Sequence, residues 1–379
     1  MKAKRFCALA LSVGLAVFVP LVKAEITVGV SLPLSGGAAS LGVPSKTGLP
    51  FWPQEIAGEK LKVIVVDDAG DPAAATRNAR KFVEDKVDVL VGTLTTPAAV
   101  AMTQVAFESQ TPHFSFAPVE VADGRDAWTF RIAMQQSFYV AGIVDHMKRS
   151  GVKTIGFLGV SDALGETHLQ PLLEQAKAAG MAVTAVERFA RADTSVTAQA
   201  LRLVTARPDA ILIAASGGGS ALPQKALKER GYTGKIYHGA AATSPDFIRL
   251  AGKDADGIIV VASPEWVADQ LPESHPARKV ALDFVQRYEA ANGPGSRSVF
   301  AANTYEVGLI LQNVIPVALK KGKPGTPEFR RALKNAIESM NDISVTKGEL
   351  KYSATDHWGR GPSARVMVTV ANGKWALAR

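Results

Sequence analysis

Apolar residues fall along this chain in two alternating rhythms. Residues 26–34, 61–66 and 87–91 are short, almost continuously apolar runs rich in Val, Ile and Leu. Each closes in a turn of small and polar residues: Ser35-Gly36-Gly37, Asp67-Asp68-Ala69-Gly70-Asp71-Pro72 and Gly92-Thr93-Leu94-Thr95-Thr96-Pro97. Such runs predict strands buried on both faces. Between them the spacing changes to three and four, so that Ala75, Ala79, Phe82 and Val83 share one face of a helix over 73–85. Asp71 before Pro72 reads as the cap of that helix, with proline at its first position. A further helix is expected from about Ala98, then a short strand at 113–116.

A second series begins after 128–134. It predicts strands at 154–160, 182–189, 210–215, 235–238 and 257–261, with helices at 166–179, 194–206 and 220–230. Helical patterns return at 277–292, 301–320 and 327–339, and the chain ends strand-like at 348–352, 364–370 and 375–378. This alternation predicts an α/β fold of parallel-rich sheets flanked by helices. The second sheet already has its own helices, so the late ones are expected to cover the first. The result is two Rossmann-like lobes joined by several crossovers: 25–141 with 270–344, and 142–269 with 345–379. No Pro/Gly/Ser-rich linker suited to a single connection interrupts the chain.

The first 24 residues follow another pattern. Lys2, Lys4 and Arg5 precede an apolar run from Ala8 to Val22, and Val22-Lys23-Ala24 offers the small residues a signal peptidase reads. This predicts a cleaved secretory signal peptide; an uncleaved anchor is the alternative, for which the run is short. Cys7, the only cysteine, lies inside it, and Glu25 stands where a lipid-attachment cysteine would be. The mature chain of about 355 residues is therefore expected to lack disulfides and thiol chemistry, which suits a bacterial periplasm. The formal charge of +8 falls to about +4 once the four leader cations are removed. The remaining cations are interspersed with acids, as at Lys81, Glu84, Asp85 and Lys86, so no nucleic-acid partner is expected.

Enzyme signatures fail on inspection. Gly37 and Gly42 have phosphate-loop spacing, but Val43 stands where lysine is needed. Ser216 precedes three glycines yet lacks the glycine of a nucleophile elbow two residues earlier. The six histidines lack paired metal-ligand spacing. Asp67, Asp68 and Asp71 lack the pattern of a calcium loop. No catalytic residue, cofactor or metal is expected. What remains is a set of small polar turns at the carboxyl ends of strands, where open α/β sheets bind ligands. They are Ser35-Gly36-Gly37, Thr95-Thr96, Ser115-Phe116-Ala117, Ser161-Asp162, Ser216-Gly217-Gly218 and Ala240-Ala241-Ala242. Thr95 and Thr96 open a helix whose free N–H groups suit a carboxylate; alternatively Thr96 only caps that helix.

Residues 28–37 (VGVSLPLSGG), 66–92 (VDDAGDPAAATRNARKFVEDKVDVLVG), 206–219 (ARPDAILIAASGGG) and 301–311 (AANTYEVGLIL) resemble the branched-chain amino-acid-binding protein family. Its members are type I periplasmic solute-binding proteins of ATP-driven importers. The resemblance implies that the 92–97 loop holds a ligand carboxylate, with Thr96 at the family's Ser/Thr position. It places Leu41 and Leu164 at side-chain contacts, and Gly217 or Gly218 where amino-acid binders carry an aromatic. The family's acidic partner for a ligand ammonium falls near 239–242, where this chain has Gly-Ala-Ala-Ala. Val119 stands where threonine is common, and Gly70 and Thr95 stand where some relatives have a disulfide. Pro50 and Pro53 interrupt a usual helix, leaving Phe51 and Trp52 as pocket walls or packing.

Burying an ammonium with no counter-charge costs several kcal/mol. The expected ligand is therefore an aromatic or branched aliphatic carboxylate. Branched-chain amino acids, and small amides or urea, are the alternatives. The expected partner is the membrane permease of an ABC transporter, served by a monomer; a sensory role is a second reading.

Overall fold

The computed structural model describes residues 25–121 and 123–378; the expected signal peptide lies outside the described residues. The first sheet starts with β1 (Ile26–Leu32), followed by α1 (Ala39–Lys46), a 3-10 turn at Leu49–Phe51, β2 (Glu55–Ile56) and β3 (Glu59–Asp67). Next come α2 (Pro72–Glu84), β4 (Val89–Gly92), α3 (Thr96–Ser109), β5 (His113–Ser115) and β6 (Thr129–Arg131). The strand order is β2-β3-β1-β4-β5-β6, with β1 parallel to both β3 and β4. The chain then enters α4 (Gln136–Arg149), β7 (Thr154–Val160), α5 (Ala163–Ala178), β8 (Ala182–Phe189), α6 (Thr197–Ala206), β9 (Ala210–Ala214), α7 (Ala221–Glu229), β10 (Lys235–His238), α8 (Pro245–Ala251) and β11 (Ile259–Ala262). After α9 (Arg278–Asn292), α10 (Val299–Ala318) and α11 (Pro327–Glu338), a hairpin of β12 (Ile343–Val345) and β13 (Gly348–Leu350) precedes β14 (Val366–Ala371) and β15 (Lys374–Leu377). The second sheet runs β15-β14-β11-β10-β9-β7-β8, its last two strands in sequence antiparallel. This is the α/β, two-sheet architecture that the alternating pattern predicts.

Local chemistry sets the element ends. Asp71 Oδ1 accepts from the Ala74 amide at 2.7 Å and Pro72 opens α2, as the Asp-Pro pair predicts. Ser298 caps α10, accepting from the Phe300 and Ala301 amides. The late helices α10 and α11 bury Val307, Ile310, Leu311, Val314, Phe329 and Leu333 against Val28, Val30, Val89 and Val91 of the first sheet. Fully burying each such side chain contributes about 1.5–3 kcal/mol. The chain passes between the two sheets three times: after β6, before α10, and after β13.

Several local expectations change. The expected lobe limits at 141 and 344 fall inside α4 and inside the β12–β13 hairpin. Val140, Ile143, Val144 and Met147 of α4 all pack with the second sheet, while Val345, Leu350 and Tyr352 pack with the first. Neither α4 nor α1 stands out in the sequence. Phe51 and Trp52 pack between elements, and both also line a separate cavity of about 340 Å³ with Arg287 and Tyr305. Phe51 lies 6.4 Å from the Phe284 ring and 6.0 Å from Tyr288, and Trp52 Nε1 donates to the Thr304 carbonyl at 2.6 Å.

Candidate functional site

The carboxyl ends of the two sheets meet at a cleft of about 700 Å³. On the first-sheet side α1 supplies Ser40, Leu41, Val43, Pro44 and Thr47. Gly42 lets this helix lie close to the end of β1, because a Cβ there would sit 2.1 Å from the Pro33 carbonyl oxygen. On the second-sheet side stand Ser216, Gly217 and Gly218 after β9, then Ala240, Ala241, Thr243, Ser244 and Asp246 after β10. Gly217 holds φ +50° and a Cβ there would meet nothing within 4 Å, so the absent side chain leaves open space. The remaining wall is Trp266, Tyr288 and the stretch from Gly295 to Phe300.

Polar groups around the cleft are mostly engaged. Thr47 Oγ1 lies 2.6 Å from Tyr288 Oη, joining α1 to α9. Thr243 donates to the Ala240 carbonyl, and the Ser244 hydroxyl accepts from the Phe247 amide. Ser296 Oγ is buried with no hydrogen-bond partner. The Arg297 guanidinium donates to Glu289 at 2.7 Å, to Asp269 at 3.2 Å and to the Trp266 carbonyl at 3.0 Å. Burial opposes its charge, but the two carboxylates more than offset that and hold its pKa above the ordinary value. Asp246 pairs with Arg249 at 3.0 Å in an exposed pair. The cleft thus presents an apolar interior edged by charges that already have partners.

Six residues expected from the sequence stand on these walls: Leu41, Ser216, Gly217, Gly218, Ala240 and Ala241. The others lie elsewhere. Thr95, not Thr96, is the residue preceding the first turn of α3, and it makes no side-chain cap. Its Oγ1 instead donates to the Gly70 carbonyl at 3.0 Å. Thr96 is exposed beside it. Ser115 is fully buried and its hydroxyl donates to the Ala117 carbonyl at 2.9 Å, closing its own turn. Phe116 packs into the first core, and Ala117 packs with Ala99 and Val119. Leu164 is half-buried against the helices and strands of the second sheet, and its amide donates to Asp162.

The acidic turn is fully occupied in holding the first sheet's edge. Asp67 accepts from the Ser35 hydroxyl and the Ala69, Leu34 and Ser35 amides, which keep its pKa low, while Asp68 accepts from the Ser31 hydroxyl at 2.8 Å. Beneath the Gly92 turn, His113 is fully buried and its Nε2 bonds the Gly92 carbonyl; burial pushes its pKa down to about 4. Sequence reading overlooked Trp266, Arg297 and Phe300. For Trp266 the available signal was the turn Ser263-Pro264-Glu265 at the carboxyl end of β11, the kind of position where such sheets place ligand contacts. It also overlooked Asp246, the one acid among the described residues of the cleft wall, which stands beyond the Gly-Ala-Ala-Ala stretch.

The family model for periplasmic binding proteins matches residues 25–374. The Leu/Ile/Val-binding protein BraC3 of Rhizobium johnstonii is 23% identical over 358 residues, covering 89% of this chain and 90% of that protein. An extracellular ligand-binding receptor from Rhodopseudomonas palustris HaA2 has a solved structure 44% identical in sequence. It superposes with a TM-score of 0.86 over 94% of this chain and 100% of that one. A solute-binding protein of an R. palustris ABC transporter, solved in complex with benzoate, shares the fold at 23% identity and a TM-score of 0.72, over 93% and 95% of the two chains. Among the described residues no helix is long and apolar enough to cross a membrane. With its two parallel-rich sheets and a family match spanning nearly the whole described chain, this protein belongs to the type I periplasmic binding protein family.

Proposed function

We propose that the chain is the solute-binding component of an ABC uptake system, and that it captures a small organic carboxylate, aromatic or branched aliphatic, between its lobes. The observation that carries this reading is the chemistry of the cleft. Leu41, Val43, Pro44, Trp266, Val299 and Phe300 give it apolar walls, and residues 239–242 offer no carboxylate for an ammonium. The N-terminus of the 20-residue helix α10 also reaches the cleft at Ser298–Phe300, favouring an anion by about 0.3–1 kcal/mol. The benzoate bound by the R. palustris relative belongs to the same ligand class.

In this reading the leader is cleaved after Ala24, and the protein works in the periplasm as a monomer. It has no catalytic role, and it delivers its ligand to a membrane permease. The lobes are the two sheets with their covering helices, exchanging chain at the three crossovers. Ligand binding closes them, and closure reports occupancy. Moving a population from 1:99 to 99:1 needs about 5.5 kcal/mol of preference for the closed form. A micromolar ligand supplies about 8 kcal/mol in total.

A second reading, branched-chain amino acids, draws on Asp246 and on the Leu/Ile/Val-binding relatives. Asp246 is, however, exposed and already paired with Arg249. A thermal-shift screen of the mature chain against aromatic acids, aliphatic acids, amino acids and amides separates the two. Saturating ligand at 100 times Kd adds about 2.7 kcal/mol, a rise of roughly 5–10 °C. Stabilisation by carboxylates lacking an ammonium supports the first reading; stabilisation by leucine or valine alone overturns it.

A further inference from the structure

Beside the cleft, where the crossovers converge, lies a cluster of buried charges with no part in the ligand walls. On the first-sheet side, Glu306 of α10 is fully buried. It accepts from Thr346, from the Lys347 amide at 3.1 Å and from Arg360 Nη2. Lys347, itself 1% exposed, donates to Asn303 Oδ1 at 2.7 Å and lies 3.2 Å from Glu306. An ammonium has three donors, so one N–H of Lys347 remains. Arg360, with its side chain 3% exposed, leaves Nε and Nη1 without acceptors.

Glu265, in the segment that leaves β11 and packs against α10, lies within electrostatic reach of Lys347 and Glu306. It is 1% exposed, and neither carboxyl oxygen makes a hydrogen bond of full geometry; only its own amide and the Ser263 hydroxyl, both in the same segment, lie close enough to favour its charge. Its neighbour Trp266 lines the cleft and packs 6.5 Å from Trp375 of β15, which ties the segment to the second sheet. Spare donors therefore lie on one side of the crossovers and a spare acceptor on the other. A buried carboxylate left in this state costs several kcal/mol, so a movement that joined the two sides would be favoured.

We propose that Glu265 is a proton-linked latch between the lobes, without a partner from the first-sheet side in this conformation and hydrogen-bonded to Lys347 when the lobes close. The proposal rests on the closure reading above and adds to it a titratable positioning residue. The groups facing Glu265 are Lys347 and Glu306, with Tyr139 of α4 and Arg360 in the same cluster; Tyr139 Oη lies 3.4 Å from Ser263. Burial pushes the Glu265 pKa up to about 6, with Lys347 partly opposing it. Pairing lowers the carboxyl's affinity for its proton, so closing releases a proton. The closed:open ratio rises with pH up to about 6 and levels off above it. Each pKa unit removed by pairing corresponds to about tenfold in that ratio.

The test needs no ligand, so its result stands apart from whether the ligand class is right. The mature chain has no cysteine. Spin labels at Lys46→Cys on α1 and Lys253→Cys after α8, both exposed and off the cleft wall, then report lobe separation. Pulsed electron–electron resonance is recorded at pH 5 and pH 7.5 on this protein and on the same protein carrying Glu265→Gln. The latch predicts a several-fold gain in the short-distance population at pH 7.5, abolished by Glu265→Gln. Equal distributions at both pH values, or a pH response that survives Glu265→Gln, overturn it.

Discussion

The hydroxyl of Thr95 donates to the carbonyl of Gly70 across 3.0 Å, tying the turn after β4 to the acidic turn after β3. The two residues are close enough that a Cβ on Gly70 would lie 3.1 Å from Thr95 Cγ2. A single side-chain bond thus joins the positions where the family resemblance places a disulfide. Thr95→Val keeps the shape and removes the donor. Its cost is about 1 kcal/mol, a fall in Tm of roughly 2–4 °C, read by thermal unfolding.

A negative charge at Ala241 should invert ligand preference. Ala241 is exposed on the cleft wall, in the stretch where the family resemblance would place an ammonium partner. Ala241→Glu is expected to weaken carboxylate binding by about tenfold or more, equivalent to ~1.4 kcal/mol, and to bring in measurable affinity for leucine. Isothermal titration of the variant with both ligand types reads the change.

Legibility varied with how local the determining forces are. The Asp71 cap, the strand runs of β1 and β4 and the α2 face all follow from neighbours in sequence, and all appear where the pattern puts them. α4 did not show itself because Tyr139, Val140, Gly142, Ile143, Val144, His146 and Met147 bury most of its circumference, blurring the one-sided stripe. α1 contains Gly42 and Pro44, which argue against a helix locally; contact with the end of β1 and with α10 overrides them. In the site, Ser115 looked available because a serine at a strand end often is. Its hydroxyl instead closes on the carbonyl two residues ahead, a local bond such residues readily make. Arg297 and Phe300 reach the cleft through the second crossover, so sequence distance hid them.

Stability should fall in mild acid through buried imidazoles. His113 and His238 have pKa values pushed down by burial to about 4 and about 3. Between those values and about 6.5 the unfolded chain binds protons that the folded one refuses, so stability is lost as pH falls through that window. Asp88 and Glu265, both raised by burial to about 6, act in the opposite direction, since the folded state holds their protons more tightly. His113→Gln should therefore flatten the Tm–pH slope between pH 6.5 and 4, whereas Asp88→Asn should steepen it. Calorimetric scans at stepped pH decide both.

The Gly92 turn should tolerate no side chain. Gly92 holds φ +113°, and a Cβ would approach the Ser31 carbonyl oxygen to 1.9 Å. Gly92→Ala must displace β4 from β1 or strain the turn, a cost of more than ~3 kcal/mol given both clash and backbone conformation. Soluble yield and urea midpoint, measured against Gly37→Ala, where a Cβ meets nothing within 4 Å, provide the comparison.

The central claim is that the cleft takes a carboxylate without its ammonium. The most direct measurement titrates the mature chain calorimetrically with two matched pairs: 4-methylpentanoate against leucine, and 3-phenylpropanoate against phenylalanine. Each pair differs only in the amino group. At least tenfold tighter binding of the ammonium-free member is expected in one pair or both. Tighter binding of leucine or phenylalanine would contradict it, and would mean that Asp246 or another cleft group supplies the counter-charge.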